Sequence, residues 1–172
     1  MAKPKLVKTK MDGLIGELVK KSDHKILATW ATDCADRVLH HFEKNYPEDM
    51  RPREAIEAGR AWVREDIKMI DARKFAVASH AAARDAEQNP ESQATARSAG
   101  HAAGTAHMAG HAIYASTYAV SAIRDASTSD NEMVLVDEER VWQYKHLLEL
   151  QMTNNMSNNS QTLTIEHYPL GS

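Results

Sequence analysis

From Ser98 to Ile123 the chain carries no Lys, Arg, Asp or Glu, and Ala, Gly, Ser, Thr and His fill most of the run. Wound into one α-helix, the run would reach roughly 39 Å at about 1.5 Å per residue, enough to cross a bilayer. His101, His107 and His111, with Ser98, Thr105, Ser116, Thr117 and Ser121, make it too polar for hydrocarbon, and Leu is absent from it. A helix that is small and uncharged on all sides belongs instead at the centre of a helical bundle. One stripe of it reads Ala99, Ala103, Ala106, Gly110, Ile113, Thr117, whose small side chains let a neighbouring backbone approach closely. The adjacent stripe, Gly100, Gly104, His107, His111, Tyr114, Tyr118, grows from small to large, so one end is tight and the other is filled by rings. The expectation is a helix over 91–126 at the centre of the fold.

The flanking segments also show helical spacing. Ile26, Leu27, Trp30, Ala31, Cys34, Val38, Leu39 and Phe42 recur at steps of three and four. This predicts an amphipathic helix over about 23–45, with Ser22 as its N-cap and Pro47 beyond its end. Pro52 suits a first helical position, and Ala55, Ile56, Gly59, Trp62 and Val63 predict a helix over about 52–66. A further helix is expected over 71–87, broken by Asn89-Pro90. Ser127 to Asp130 reads as a turn and Glu132 to Gln151 as a last amphipathic helix. No strand pair with hairpin turn chemistry is visible. The fold class expected is all-α, a bundle of five to six helices around the Ala/Gly/His-rich one.

Three zones follow. Residues 1–22 are a lysine-rich lead-in with a short docking helix near 12–20, residues 23–151 are the helical domain, and residues 152–172 are an Asn/Ser/Thr-rich tail. The tail has little to bury, and its Leu163-Thr164-Ile165 stretch is expected to be extended. Seven lysines up to Lys25 face Asp12, Glu17 and Asp23, a local +4 within a chain of net charge −3. The remainder therefore stands at −7, which excludes a generally basic, phosphate-seeking protein. Aromatic residues at 6% leave few stacking platforms, so no nucleic-acid partner is expected. Cys34 is the single cysteine, which excludes an internal disulfide and a Cys-based zinc cluster. The start has no apolar h-region and no small-residue cleavage site, so the expected compartment is the cytoplasm.

Two constellations bear on chemistry. His107 and His111 are i, i+4 neighbours on the predicted helix, and His80 and His101 lie nearby in the Ala-rich segments. Neutral imidazoles at this spacing are candidate metal ligands. No Glu follows His107, so this is not the metalloprotease motif. The reading adopted is buried histidines satisfied by hydroxyls and carbonyls, with no metal and no cofactor. The second constellation is ionic: Asp33, Asp36, Arg51, Arg53 and Glu57 form either a clamp across the 45–52 connection or a partner-binding patch. Trp30, Trp62 and Trp142 are the expected core anchors. Cys34 sits on an apolar stripe where burial makes its thiol inert, and no catalytic triad or phosphate loop is signalled.

The segments LATWATDCADRVL, RPREAIEAGRAWVRE, FAVASHAAARDA, SAGHAAGTAHMAGHAIYASTYAVSAI and EERVWQYKHL occur in this order. Together they resemble the bacterial immunity-protein family that accompanies polymorphic toxin systems. The resemblance covers about 27 to 150, and RPR-x-AIE and H-x₅-H-x₃-H are its most specific parts. The matching positions include Trp30, Asp33, Arg51, Pro52, Arg53, Glu57, Trp62, His80, His101, His107, His111 and Trp142. It implies a small cytoplasmic helical protein, not an enzyme, that binds a toxin domain and blocks it by occlusion. A metal-binding helical protein using the histidines, and a structural or oligomerisation module such as a homodimer, are the rival readings.

Overall fold

The computed structural model describes residues 9–128 and 130–165, with side chains as far as 158. The first residues of the lysine-rich lead-in and the end of the tail lie outside this range. The helices are α1 (Met11–Lys21), α2 (His24–Val38), α3 (His40–Glu43), α4 (Arg51–Val63), α5 (Met69–Asp85), α6 (Pro90–Gly104), α7 (His111–Ala126) and α8 (Glu132–Ile165). There is no strand among the described residues, and the all-α bundle is as expected. No helix among them is long and apolar enough to cross a membrane.

The Ala-rich run is not one helix. It is a hairpin, α6 and α7, broken over 105–110. Gly104 and Gly110 flank the break, and each glycine weakens a helix by about 1 kcal/mol relative to Ala. Thr105 Oγ1 turns back to donate to the His101 carbonyl at 3.0 Å, and the His24 ring of α2 meets the Thr105 carbonyl. Folding the run back on itself pairs two small-residue faces, which one straight helix would have left to other partners. α6 still occupies the centre, packed against α2, α3, α4, α5 and α7. Only Pro90, Glu91, Gln93, Arg97 and His101 of it escape full burial.

Local chemistry sets the other boundaries. Asp23, not Ser22, caps α2, its carboxylate accepting from the Ile26 amide at 2.9 Å. Ser22 Oγ instead donates to the Leu18 carbonyl at the end of α1. Asn89 caps α6 by accepting from the Ser92 amide at 3.0 Å, with Pro90 in its first turn. The α4–α5 connection turns on Glu65, whose φ of 66° is left-handed.

The predicted docking helix exists as α1, which lays Ile15 into the core and packs along α8. α8 runs 34 residues to Ile165, well past Gln151. Thus 152–165 is helical, and the expected extended stretch over Leu163–Ile165 is not present. Polar contacts explain part of the extension: Gln151 Nε2 reaches Leu18 O at 3.0 Å, and Asn154 Nδ2 reaches Asp23 Oδ2 at 3.1 Å. An Asn-rich sequence with little to bury can stay helical where its amides find the α1–α2 corner.

The core is built on Trp30, fully buried, whose Nε1 donates to the Gln143 carbonyl of α8 at 2.9 Å. The other two tryptophans are not fully buried. Trp142 is half-buried against the core, with the Arg37 guanidinium 3.9 Å over its ring and His146 stacked on it. Trp62 is half-buried at the end of α4 and tilts against His24, 4.8 Å between centroids. It closes α4 over α2, and is not an anchor of the central core.

Candidate functional site

The predicted histidine pair is not the one that forms. The break puts His107 in the connection, where it is exposed, and only His111 enters α7. His111 folds back over Gly104 and meets His101 of α6, Nδ1 to Nδ1 at 2.9 Å. His80 of α5 stands edge-on to His101, 4.8 Å between centroids. Tyr118 stacks on His101 at 5.4 Å and Tyr114 at 5.3 Å. Three helices thus contribute to one ring cluster, His80–His101–His111 with two tyrosines.

Burial holds these imidazoles neutral. His101 is pushed down to about 3 by burial, then by His80, His111 and Arg97. His80 is pushed down to about 4 by burial, then by Arg97, His111 and Arg84. His111 is also lowered, by burial first and His107 second. The His101–His111 contact needs one donor and one acceptor, so the two rings carry complementary tautomers. His80 Nδ1 is buried without a hydrogen-bond partner. The ring is seated on Gly100, where a Cβ would come within 2.7 Å of His80 Cε1. No group of three His, Cys, Asp or Glu among the described residues is placed to hold a metal ion.

The predicted ionic cluster divides in two. Asp33, Asp36 and Glu57 converge on Arg60, at 3.2, 3.0 and 3.2 Å. Burial works against the Arg60 charge, but Asp36 and Asp33 outweigh it and raise its pKa. His146 of α8 adds a contact to Asp33 at 2.8 Å. Arg51 and Arg53 go elsewhere. Arg51 grips Asp49 at 2.6 Å and Asp85 of α5 at 2.8 Å, and Arg53 holds Glu43 of α3. One clamp therefore ties α2, α4 and α8, and the other ties the 44–50 connection to α4 and α5. A pair of arginines in the PR turn cannot reach the Asp33–Asp36 face because Arg60, two turns along α4, already lies over it.

A third network is internal. Arg140 of α8, almost wholly buried, lies 3.1 Å from Asp12 and donates to Gln143 Oε1 at 2.8 Å and Ser116 Oγ at 3.3 Å. Glu139, also buried, accepts from Arg37 at 3.0 Å and from Gln143 at 3.1 Å, and burial raises its pKa. Cys34 lies in the same core, fully buried, its thiol pushed well up by burial and then by Glu139. This matches the inert thiol expected from the sequence.

The model of the Imm-5 like putative immunity protein family matches residues 17–150. The chain belongs to this family. No curated protein and no solved structure matches the chain. The family match runs from within α1 to within α8, so it takes in the ring cluster, both clamps and, apart from Asp12, the Arg140 network. The RPR segment of the immunity-protein sequence opens α4 and supplies the Asp49–Asp85 clamp. The H-x₅-H-x₃-H segment spans the end of α6, the break and the start of α7, which is why only its first and last histidines meet.

Among the arginines, Arg37, Arg51, Arg53, Arg60, Arg64, Arg124 and Arg140 each hold a carboxylate. Arg73, Arg84 and Arg97 have no carboxylate within ion-pair distance among the described residues. Nothing in the sequence around these three arginines marks them as a site. Arg73 and Arg84 share one face of α5 and Arg97 lies on α6, but that none meets a carboxylate among the described residues is a property of the packed surface.

Proposed function

We propose that this protein binds a toxin domain in the bacterial cytoplasm and neutralises it by occlusion, one molecule to one, without catalysis. The family match over 17–150 carries the reading. The helical scaffold supports it. Its clamps and its fully satisfied Trp30 fix the helices against one another, and a rigid surface binds with little ordering cost. Charge matching at such a surface gives fast association, which a cell needs if the toxin is to be caught before it acts.

The test is co-expression with candidate toxin domains encoded in the same genome. Growth should be restored, a stoichiometric complex should survive size-exclusion chromatography, and toxin activity should fall linearly to zero at one equivalent. Rescue at a small fraction of an equivalent would point to an enzyme and overturn the reading, as would a failure to form any complex.

A further inference from the structure

One face of the bundle carries arginines that no carboxylate among the described residues pairs with. Arg73, Val77, His80 and Arg84 follow one another along α5 at steps of four, three and four, which puts them on one stripe. Beside it runs the open edge of α6, Gln93, Arg97 and His101, and beyond that His111, Tyr114 and Tyr118 of α7. The ring contacts from His80 through His101 to Tyr114 join the three stripes into one surface. Arg97 is half-buried; burial lowers its pKa, Tyr118 works the other way and Arg84 adds to the lowering. Two like guanidiniums held together, one of them partly desolvated and neither with a carboxylate among the described residues, are relieved by an anion placed between them. Val77 at 60% and Tyr114 at 53% exposure add apolar surface flanking the arginines.

We infer that the α5–α6–α7 face is the docking surface for a carboxylate-bearing segment of a protein partner, gripped by Arg84 and Arg97 and covered by Val77 and Tyr114. The inference rests on the proposed function, in which that partner is the toxin. Guanidiniums match carboxylates in a bidentate fork, and Tyr and Arg are the side chains that dominate protein interfaces. A protein segment fits better than a nucleic acid. The chain's net charge is −3, the imidazoles between the arginines are neutral, and an extended polyanion would be repelled beyond the patch.

The probe is a fluorescent oligoglutamate peptide, titrated into the full chain at low salt while amide and imidazole NMR signals are followed. The expected result is that shifts centre on His80, Arg97, His101 and Tyr114. The Arg84→Glu/Arg97→Glu variant should lose affinity about tenfold or more, and Arg84→Gln/Arg97→Gln, which adds no repulsion, should lose it too. Lys20→Glu/Lys21→Glu, at the other basic site, should leave binding unchanged. Shifts centred on α1, or a loss that follows the lysine variant, would overturn the inference. So would an oligouridylate of the same length binding this face more tightly, or a dimer of the chain burying it. A cellular arm separates the two proposals. If wild type protects against the toxin and Arg84→Glu/Arg97→Glu protects equally, the docking surface is wrong and the function stands. If wild type gives no protection, the function fails and the peptide titration alone decides the face.

Discussion

His101 and His111 meet nitrogen to nitrogen, Nδ1 to Nδ1 at 2.9 Å, across the α6–α7 hairpin. The contact is a hydrogen bond only while at least one ring is neutral; with both protonated, two N–H groups face each other. Burial places His101 at about 3 and His80 at about 4, with His111 also lowered. In the folded protein these rings bind fewer protons than in the unfolded chain, where a histidine titrates near 6.5. Stability is therefore full above about pH 6.5 and declines as pH falls through that value towards the folded pKa values. We expect a loss of about 1–2 kcal/mol between pH 7 and 5, after discounting for the solvent that reaches the rings. His41, lowered by burial, acts in the same direction. Imidazole NMR should show no titration of His80 or His101 between pH 5 and 8, and a midpoint near 6.5 for either would contradict the packing.

Chelation should do nothing. His107 stands exposed in the 105–110 connection and cannot join His101 and His111 in a ligand set. Excess EDTA at neutral pH should leave the melting temperature where it was. A drop restored by one particular metal ion would show that the rings rearrange to bind it.

Gly59 sits at a close crossing of α4 with α2 and α6. A Cβ there would lie 2.7 Å from Thr32 Cγ2, 3.5 Å from the Ala102 carbonyl and 3.6 Å from Ala103 Cα, so α4 has no direction in which to yield. Gly59→Ala should cost about 1–3 kcal/mol, and Ala103→Leu, at the same crossing, a similar amount. Gly16 of α1 has nothing within 4 Å of its Cβ position, so Gly16→Ala should stabilise by about 0.5–1 kcal/mol. Denaturant unfolding of the three variants gives both signs in one experiment, and equal midpoints would refute the crossing.

Trp30 and Trp62 should behave differently. Trp30 is fully buried and bonded to the Gln143 carbonyl, so Trp30→Ala should cost about 3–5 kcal/mol. Trp62 keeps one side open against His24, and Trp62→Ala should cost about 1–2 kcal/mol. Comparable losses in thermal unfolding would mean that α4 sits deeper than the structure places it.

Arg140→Ala should be among the most damaging single changes, at about 3–5 kcal/mol. It strands Asp12 on α1 and leaves Gln143 Oε1 and Ser116 Oγ without their shared donor. Because Asp12 ties α1 to this network, hydrogen exchange should show α1 opening before the α6–α7 hairpin. Uniform protection across both would count against that order.

Spacing along the chain was enough to locate the helices. Ile26 to Val38 announced α2, although the single helix expected over 23–45 is interrupted at Leu39 and resumes only as the short α3; Pro52 announced α4 and Asn89-Pro90 the start of α6, because apolar periodicity and capping are local properties of neighbouring residues. The same local logic failed inside the Ala-rich run. A stretch of small residues has no strong phase, so it fits one long helix or two short ones equally well, and the break at 105–110 is decided by what the faces pack against. The charged residues tell the same story at longer range. Sequence brought Asp33, Asp36, Arg51, Arg53 and Glu57 into view, but Arg60 took three of them and Asp49 and Asp85 took Arg51, because a guanidinium pairs with whichever carboxylate the helix crossing brings near. His107 and His111 look like partners at i, i+4, yet His111 found His101, and Arg84 and Arg97 found no carboxylate among the described residues. By itself the sequence determined an all-helical bundle with a small-residue centre. Which rings and charges meet, and which are left facing solvent, was decided only when distant helices were packed together.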